Sequence, residues 1–177
     1  MRRRFKVIDS VLMCILVLIT PLILTSQDKA SNCTSGSHQI VQPFLGEWDE
    51  FTVTDTGEVY IGRLSSKLNL NGCVLNQRFA TPDSSFSYHS HGFVNPASNI
   101  WEETYVFSSG GHSTFLWIVE GNELYTLRVD GSRHPDYIHR LWYTDVKKNQ
   151  YLVVQQESTD GGRTWVSRDS TLIKRVK

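Results

Sequence analysis

The stretch Phe44–Thr54, FLGEWDEFTVT, opens the part of the chain whose fold is most directly readable. It mixes aromatic and β-branched residues and runs out just before Thr56-Gly57, and no long apolar segment of 3.6-residue period competes anywhere after Leu24. Such a run reads as a β-strand closed by a turn. The same pattern recurs down the chain. EVYIGRLSSKLNL, CVLNQRFA, FSYHSHGFV, NIWEETYVF, STFLWIVE, ELYTLRVD, YIHRLWYTDV, QYLVVQQES and TWVSRDSTLIKR follow, separated by Asn71-Gly72, Pro82-Asp83, Asn95-Pro96, Gly110-Gly111, Gly121-Asn122, Gly131-Ser132, Lys148-Asn149 and Gly161-Gly162. About ten short strands at regular turns predict an all-β, antiparallel up-and-down meander. Only HQIVQPF, ahead of the first strand, reads as a short helix or 3₁₀ turn. No internal repeat is visible. An open meander of this length would carry two long unpaired edges, and closing it into a barrel removes both. A closed barrel of about ten strands encloses a lumen that can hold a small ligand.

Outside this region the sequence changes character. Arg2, Arg3, Arg4 and Lys6 precede an apolar run from Val11 to Leu24, broken only by Thr20 and Pro21. That run has the length of a signal-peptide apolar segment and falls short of a bilayer span. Residues 1–26 are therefore expected to be a signal peptide, or an N-terminal anchor if uncleaved. The small-x-small pattern of a cleavage site is incomplete, since Leu24 stands two residues before Ser26. Residues 27–39 read as a flexible polar tail, and 40–177 as one barrel domain. The expected location is secreted or periplasmic.

Lys+Arg and Asp+Glu both number 18. Without Arg2, Arg3, Arg4, Lys6 and Asp9 they become 14 and 17, a mildly acidic domain with no basic cluster. That argues against a nucleic-acid partner. Of three cysteines, Cys14 lies in the signal segment. Cys33 and Cys73 can pair in an oxidising compartment, or stay a tail thiol and a small buried hydrophobe. Asn32-Cys33-Thr34 fits a glycosylation acceptor in a eukaryotic secretory pathway.

Ser158–Trp165, STDGGRTW, has the spacing Ser-x-Asp-x-Gly-x-Thr-Trp and looks like the Asp-box of sialidases and other β-propellers. Its residues explain themselves locally. Ser158 and Asp160 can accept backbone N–H groups in a tight turn. Gly161 and Gly162 supply positive φ, and Trp165 packs back over the hairpin. A chain of 177 residues is too short for a six-bladed propeller, so the box is expected to be structural.

Strand alternation groups the chemically able residues. His89 and His91 share a face and can bind a metal only if a third ligand such as His112 or His139 arrives; Glu102 and Glu103 follow too late for a cupin-like set. Two surface histidines are the plainer reading, and no metal is expected. His139 shares a face with Tyr137, Leu141 and Tyr143; it can serve as a haem ligand or, more plainly, as a structural histidine, and no cofactor is expected. Trp101, Glu103, Tyr105 and Phe107 share one face, as do Phe115, Trp117 and Val119. Such aromatic stripes are core first and ligand walls second. Arg78 and Arg128 can anchor an anionic group or face solvent. No Gly-x-Ser-x-Gly elbow, activated cysteine or phosphate loop appears.

Gly46-x-Trp48 on the first strand, NGCVLNQRF at the third and STDGGRTW before a last strand ending at Arg175 together resemble the lipocalin-like (calycin) domains of unknown function, small secreted β-barrels. The resemblance covers roughly 40–177 and implies a barrel with a cavity. It implies that Trp48 closes one barrel end, with Arg175 or Arg168 packed across it as a cation–π contact. About ten strands and no C-terminal helix depart from true lipocalins and come closer to fatty-acid-binding and nitrobindin-like barrels. The expected function is binding of a small hydrophobic or amphipathic molecule, with His89, Tyr105, Trp117, Arg128 and His139 as ligand-binding residues. Trp48, Asp160, Trp165 and Arg175 are expected to be structural. The alternative is an isomerase or cyclase acting on a hydrophobic metabolite in the lumen, with a His or Glu as acid or base. Whether the chain is an enzyme stays open. Membrane association is expected only through an uncleaved N-terminal segment.

Overall fold

The computed structural model describes Cys33, residues 36–129 and residues 135–177; the expected signal segment and most of the expected tail lie outside the described residues. Ten antiparallel strands form a meander closed into a barrel: β1 (Gly46–Thr54), β2 (Gly57–Asn69), β3 (Val74–Ala80), β4 (Ser87–Asn95), β5 (Ile100–Phe107), β6 (His112–Glu120), β7 (Glu123–Arg128), β8 (Ile138–Lys147), β9 (Gln150–Ser158) and β10 (Val166–Arg175). Every strand end falls within two residues of the runs read from the sequence. Closure comes from β1 pairing with β10, from Trp48 opposite Arg175 to Thr52 opposite Thr171. The edges that an open sheet would expose are thereby consumed.

Alternation drives the burial. On β5, Trp101, Glu103 and Tyr105 are buried while their neighbours are less so. On β6, Ser113, Phe115 and Trp117 point inward. Phe44, read as the first residue of a strand, instead belongs to a 3₁₀ turn (Gln42–Phe44). Another 3₁₀ turn (Gly36–Gln39) occupies the last residues of the expected tail. Both follow from sequence. Pro43 favours the start of a turn, and Val41 and Phe44 are the apolar residues that fold in, at 0% and 1% exposure.

These turns sit at one end of the barrel, with Trp48, Leu75 and Trp101 in the same buried cluster. The Trp48 indole N–H donates to Phe44 O at 2.9 Å, and that of Trp101 donates to Ser37 O at 2.5 Å. Cys33 and Cys73 are joined as a disulfide with Cα atoms 4.9 Å apart, fastening the N-terminal segment to the β2–β3 turn. No helix among the described residues is long and apolar enough to cross a membrane.

Candidate functional site

The closed end explains the Gly46-x-Trp48 pair. The Arg175 guanidinium lies 4.0 Å from the centroid of the Trp48 ring. Its Nη1 donates to Leu45 O and its Nε to Lys148 O, both at 3.0 Å. Gly46 has φ +125°, and a Cβ there would meet Arg175 Nη1 at 2.4 Å. Only glycine lets the strand begin so close to the arginine. Arg168 lies elsewhere, paired with Glu157 at 2.8 Å.

The opposite end is the mouth. STDGGRTW forms the β9–β10 turn there, and its Ser158 and Asp160 side chains bond within it. Asp160 Oδ1 accepts from the backbone N–H groups of Arg163 (3.0 Å) and Thr164 (2.9 Å) and from Ser158 Oγ (2.7 Å); Oδ2 accepts from Thr164 Oγ1 (2.7 Å). Those bonds, led by the one from the Thr164 backbone, hold its carboxyl down at about 2. Gly161 and Gly162 take φ of 71° and 87°. Trp165 lies under the Arg140 guanidinium at 3.9 Å, away from the lumen. The motif is a structural turn, tied to the segment before β8 by the Gly161 N–H, which donates to Asp136 O at 2.9 Å.

Between the two ends lies a cavity of about 270 Å³. Phe44, Trp117, Tyr151 and Ile173 line it on the closed side, Leu64, Gln77, Tyr88, Tyr105, Phe115, Leu141, Tyr143, Val153 and Thr171 along the wall, and Phe86 and Phe107 towards the mouth. The rings pack on one another: Trp117 stacks on Tyr143 at 5.2 Å, and Tyr105 meets Tyr88 and Phe115 edge-on. Glu50 is the one acidic side chain in this lining, and no Lys, Arg or His is among the lining residues.

Two buried carboxyls enter the lumen on different terms. Glu103, fully buried, accepts from Ser90 Oγ at 2.5 Å and from the Trp117 indole N–H at 2.9 Å. Burial raises its pKa, and hydrogen bonds from Ser90, Trp117 and Tyr105 work against that rise. Glu50, 8% exposed, has burial as its only perturbation, which lifts it to about 7. No hydrogen bond offsets the loss of water at that carboxyl among the described residues. Burial is also the main force pushing the Tyr88, Tyr105, Tyr143 and Tyr151 phenols upward, so they remain neutral donors.

Of the residues expected to bind ligand, Tyr105 and Trp117 line the cavity. His89 does not: it is exposed on the outer face of β4, because Ser90 and Gly92 take the inner positions. His91, also outside, pairs through Nδ1 with Asn76 Oδ1 at 2.7 Å. No group of three metal-ligating side chains occurs among the described residues. Arg78 is exposed on β3. His139 packs edge-on against Phe115 on the inner face of β8, and Arg128 sits opposite Phe115 on β7, both outside the cavity lining. Glu50, Gln77, Tyr88 and Tyr151 were not picked out from sequence. A signal for Glu50 existed: two residues after an inward Trp48, alternation places it inward too.

Comparison of the sequence with protein-family models and with curated proteins returns no match.

Proposed function

We propose that this chain is an exported, lipocalin-like barrel that binds a small hydrophobic or amphipathic molecule in its lumen. The observation that carries the reading is the aromatic-walled cavity, closed at one end by Phe44, Trp48 and Arg175 and bordered towards the mouth by Phe86 and Phe107. Its volume of about 270 Å³ falls just under the ~300–1,000 Å³ usual for ligand sites. It therefore suits a compact ring system better than a long acyl chain. Secretion or a periplasmic location is supported by the basic-then-apolar N-terminus and by a disulfide suited to an oxidising compartment. The partner is a small molecule. Nothing basic enough to hold nucleic acid recommends that alternative, and membrane contact would need an uncleaved N-terminal segment.

The test uses Trp117 as the reporter, since it lines the cavity. Titration with small aromatic compounds is expected to change its fluorescence saturably. Val153→Phe, which fills the cavity from β9, is expected to weaken that binding while the protein stays folded. Absence of any saturable change, or binding indifferent to Val153→Phe, would count against the reading.

One observation favours an enzyme as the second reading. Glu50, poised at about 7 on the wall of a desolvated cavity, has the properties of a general base for isomerising a hydrophobic metabolite. There, Glu50→Gln would cost ~10²–10⁴ in rate, whereas a carrier has no turnover to lose.

A further inference from the structure

The cavity is chemically lopsided. Its wall is mostly aromatic and aliphatic, its only carboxyl is Glu50, and no cationic side chain is among its lining residues. The surrounding charges do not supply a partner. On β1 and β2, Asp49 and Arg63 pair with each other on the outer face at 3.0 Å. On β10, Lys174 pairs outside with Glu58, and Arg175 is committed to Trp48, Leu45 O and Lys148 O. Across the lumen, the groups coupled to Glu50 are the phenols of Tyr88, Tyr143 and Tyr151, with Glu103 coupled to the same three. These are neutral or acidic, and the two basic side chains on the inner face, His139 against the Phe115 ring and Arg128 opposite Phe115, stay outside the cavity lining.

A carboxyl nine-tenths buried, facing a cavity and with no hydrogen-bond donor among the described residues, leaves an interaction that an occupant can fill. An anionic occupant would meet it without a counter-charge. A neutral apolar one would leave it desolvated. A cation would pair with it, and the surrounding aromatic rings would attract the same charge through their faces. Resting on the carrier reading above, we infer that the cavity selects a small organic cation: a protonated amine on a compact apolar body, its ammonium against Glu50 and its body among the lumen tyrosines.

The test compares three ligands of one size, 2-phenylethylamine, 2-phenylethanol and phenylacetate, by calorimetric titration of the full-length protein and of Glu50→Gln. At pH 8 the amine is expected to bind at least about tenfold more tightly than the alcohol, and phenylacetate most weakly. In Glu50→Gln the amine's advantage is expected to vanish, with alcohol binding little changed. A second measurement needs no variant. With Glu50 at about 7, amine affinity in the unaltered protein is expected to fall about tenfold from pH 8 to pH 6 as the carboxyl takes a proton. Alcohol affinity should hold. Alcohol binding as tight as the amine, or an amine preference that survives in Glu50→Gln or does not vary with pH, overturns the inference while leaving the carrier standing. Failure of all three ligands to bind overturns both.

Discussion

Glu103 and Glu50 face one lumen with opposite hydrogen-bonding states: Glu103 holds donors from Ser90 and Trp117, and Glu50 holds none among the described residues. The difference has a thermodynamic signature. Glu50 rises from 4.5 in the unfolded chain to about 7 in the folded one. Between those values the folded state binds more protons, so stability is full below about pH 4.5 and declines as pH rises through 7. At pH 8 the loss reaches up to about 3 kcal/mol. Glu50→Gln is therefore expected to stabilise the empty protein at pH 8 by about 1–3 kcal/mol and to give no gain near pH 4. Urea unfolding at both pH values checks this; an equal effect at both would show that Glu50 does not titrate as described.

Glu103 is expected to behave in the opposite way on truncation. Glu103→Leu orphans the Ser90 hydroxyl and the Trp117 indole N–H, at a cost of about 1–3 kcal/mol for each donor left buried. Trp117→Phe removes one donor from the same network. The two changes together are expected to cost clearly less than the sum of the two alone. A double-mutant cycle in denaturant reads that coupling, and strict additivity would dissolve the network.

At the closed end, Arg175→Met loses the ring contact with Trp48 and leaves Leu45 O and Lys148 O without this donor. A destabilisation of about 1–3 kcal/mol follows. Arg175→Lys is expected to recover only part, because an ammonium cannot span both carbonyls and the ring as the guanidinium fork does. Ligand affinity should change little in a variant that remains folded, since Arg175 is not among the cavity-lining residues.

The disulfide between Cys33 and Cys73 closes a loop with a sequence separation of 40. Cys73→Ser is expected to cost about 2–4 kcal/mol of stability, chiefly through the freer unfolded chain. Reduction of the unaltered protein should give a comparable drop in thermal midpoint. A variant as stable as the parent would place little structural weight on the bridge.

Most of the fold was legible because period-two burial and turn residues are local signals. β5 and β6 show it best: the shared faces of Trp101, Glu103 and Tyr105, and of Phe115 and Trp117, are the faces the barrel buries. The site was only partly legible, because alternation groups residues without saying which group faces in. On β4 histidine drew attention as a chemically able side chain, yet Ser90 and Gly92 face the lumen and His89 the solvent. What they do there is visible only in three dimensions. Ser90 donates to Glu103, and Gly92 packs directly over the Glu103 side chain, where a Cβ would make contact at 3.4 Å. Glu50 was missed for a related reason: in isolation an acidic residue on a strand reads as solvent-facing. Its burial follows from Trp48 two residues earlier. Phe44 could not be placed by strand periodicity, because it reaches the cavity from a turn.

The account's central claim is that the lumen holds a small molecule, and native mass spectrometry of the protein purified from its own producing cells tests it most directly. The account predicts a native mass exceeding the denatured mass by one compact ligand, with the excess lost on denaturation and reduced in Val153→Phe. Native and denatured masses that agree in protein never exposed to ligand-stripping conditions, together with no uptake of added aromatic compounds, would contradict it.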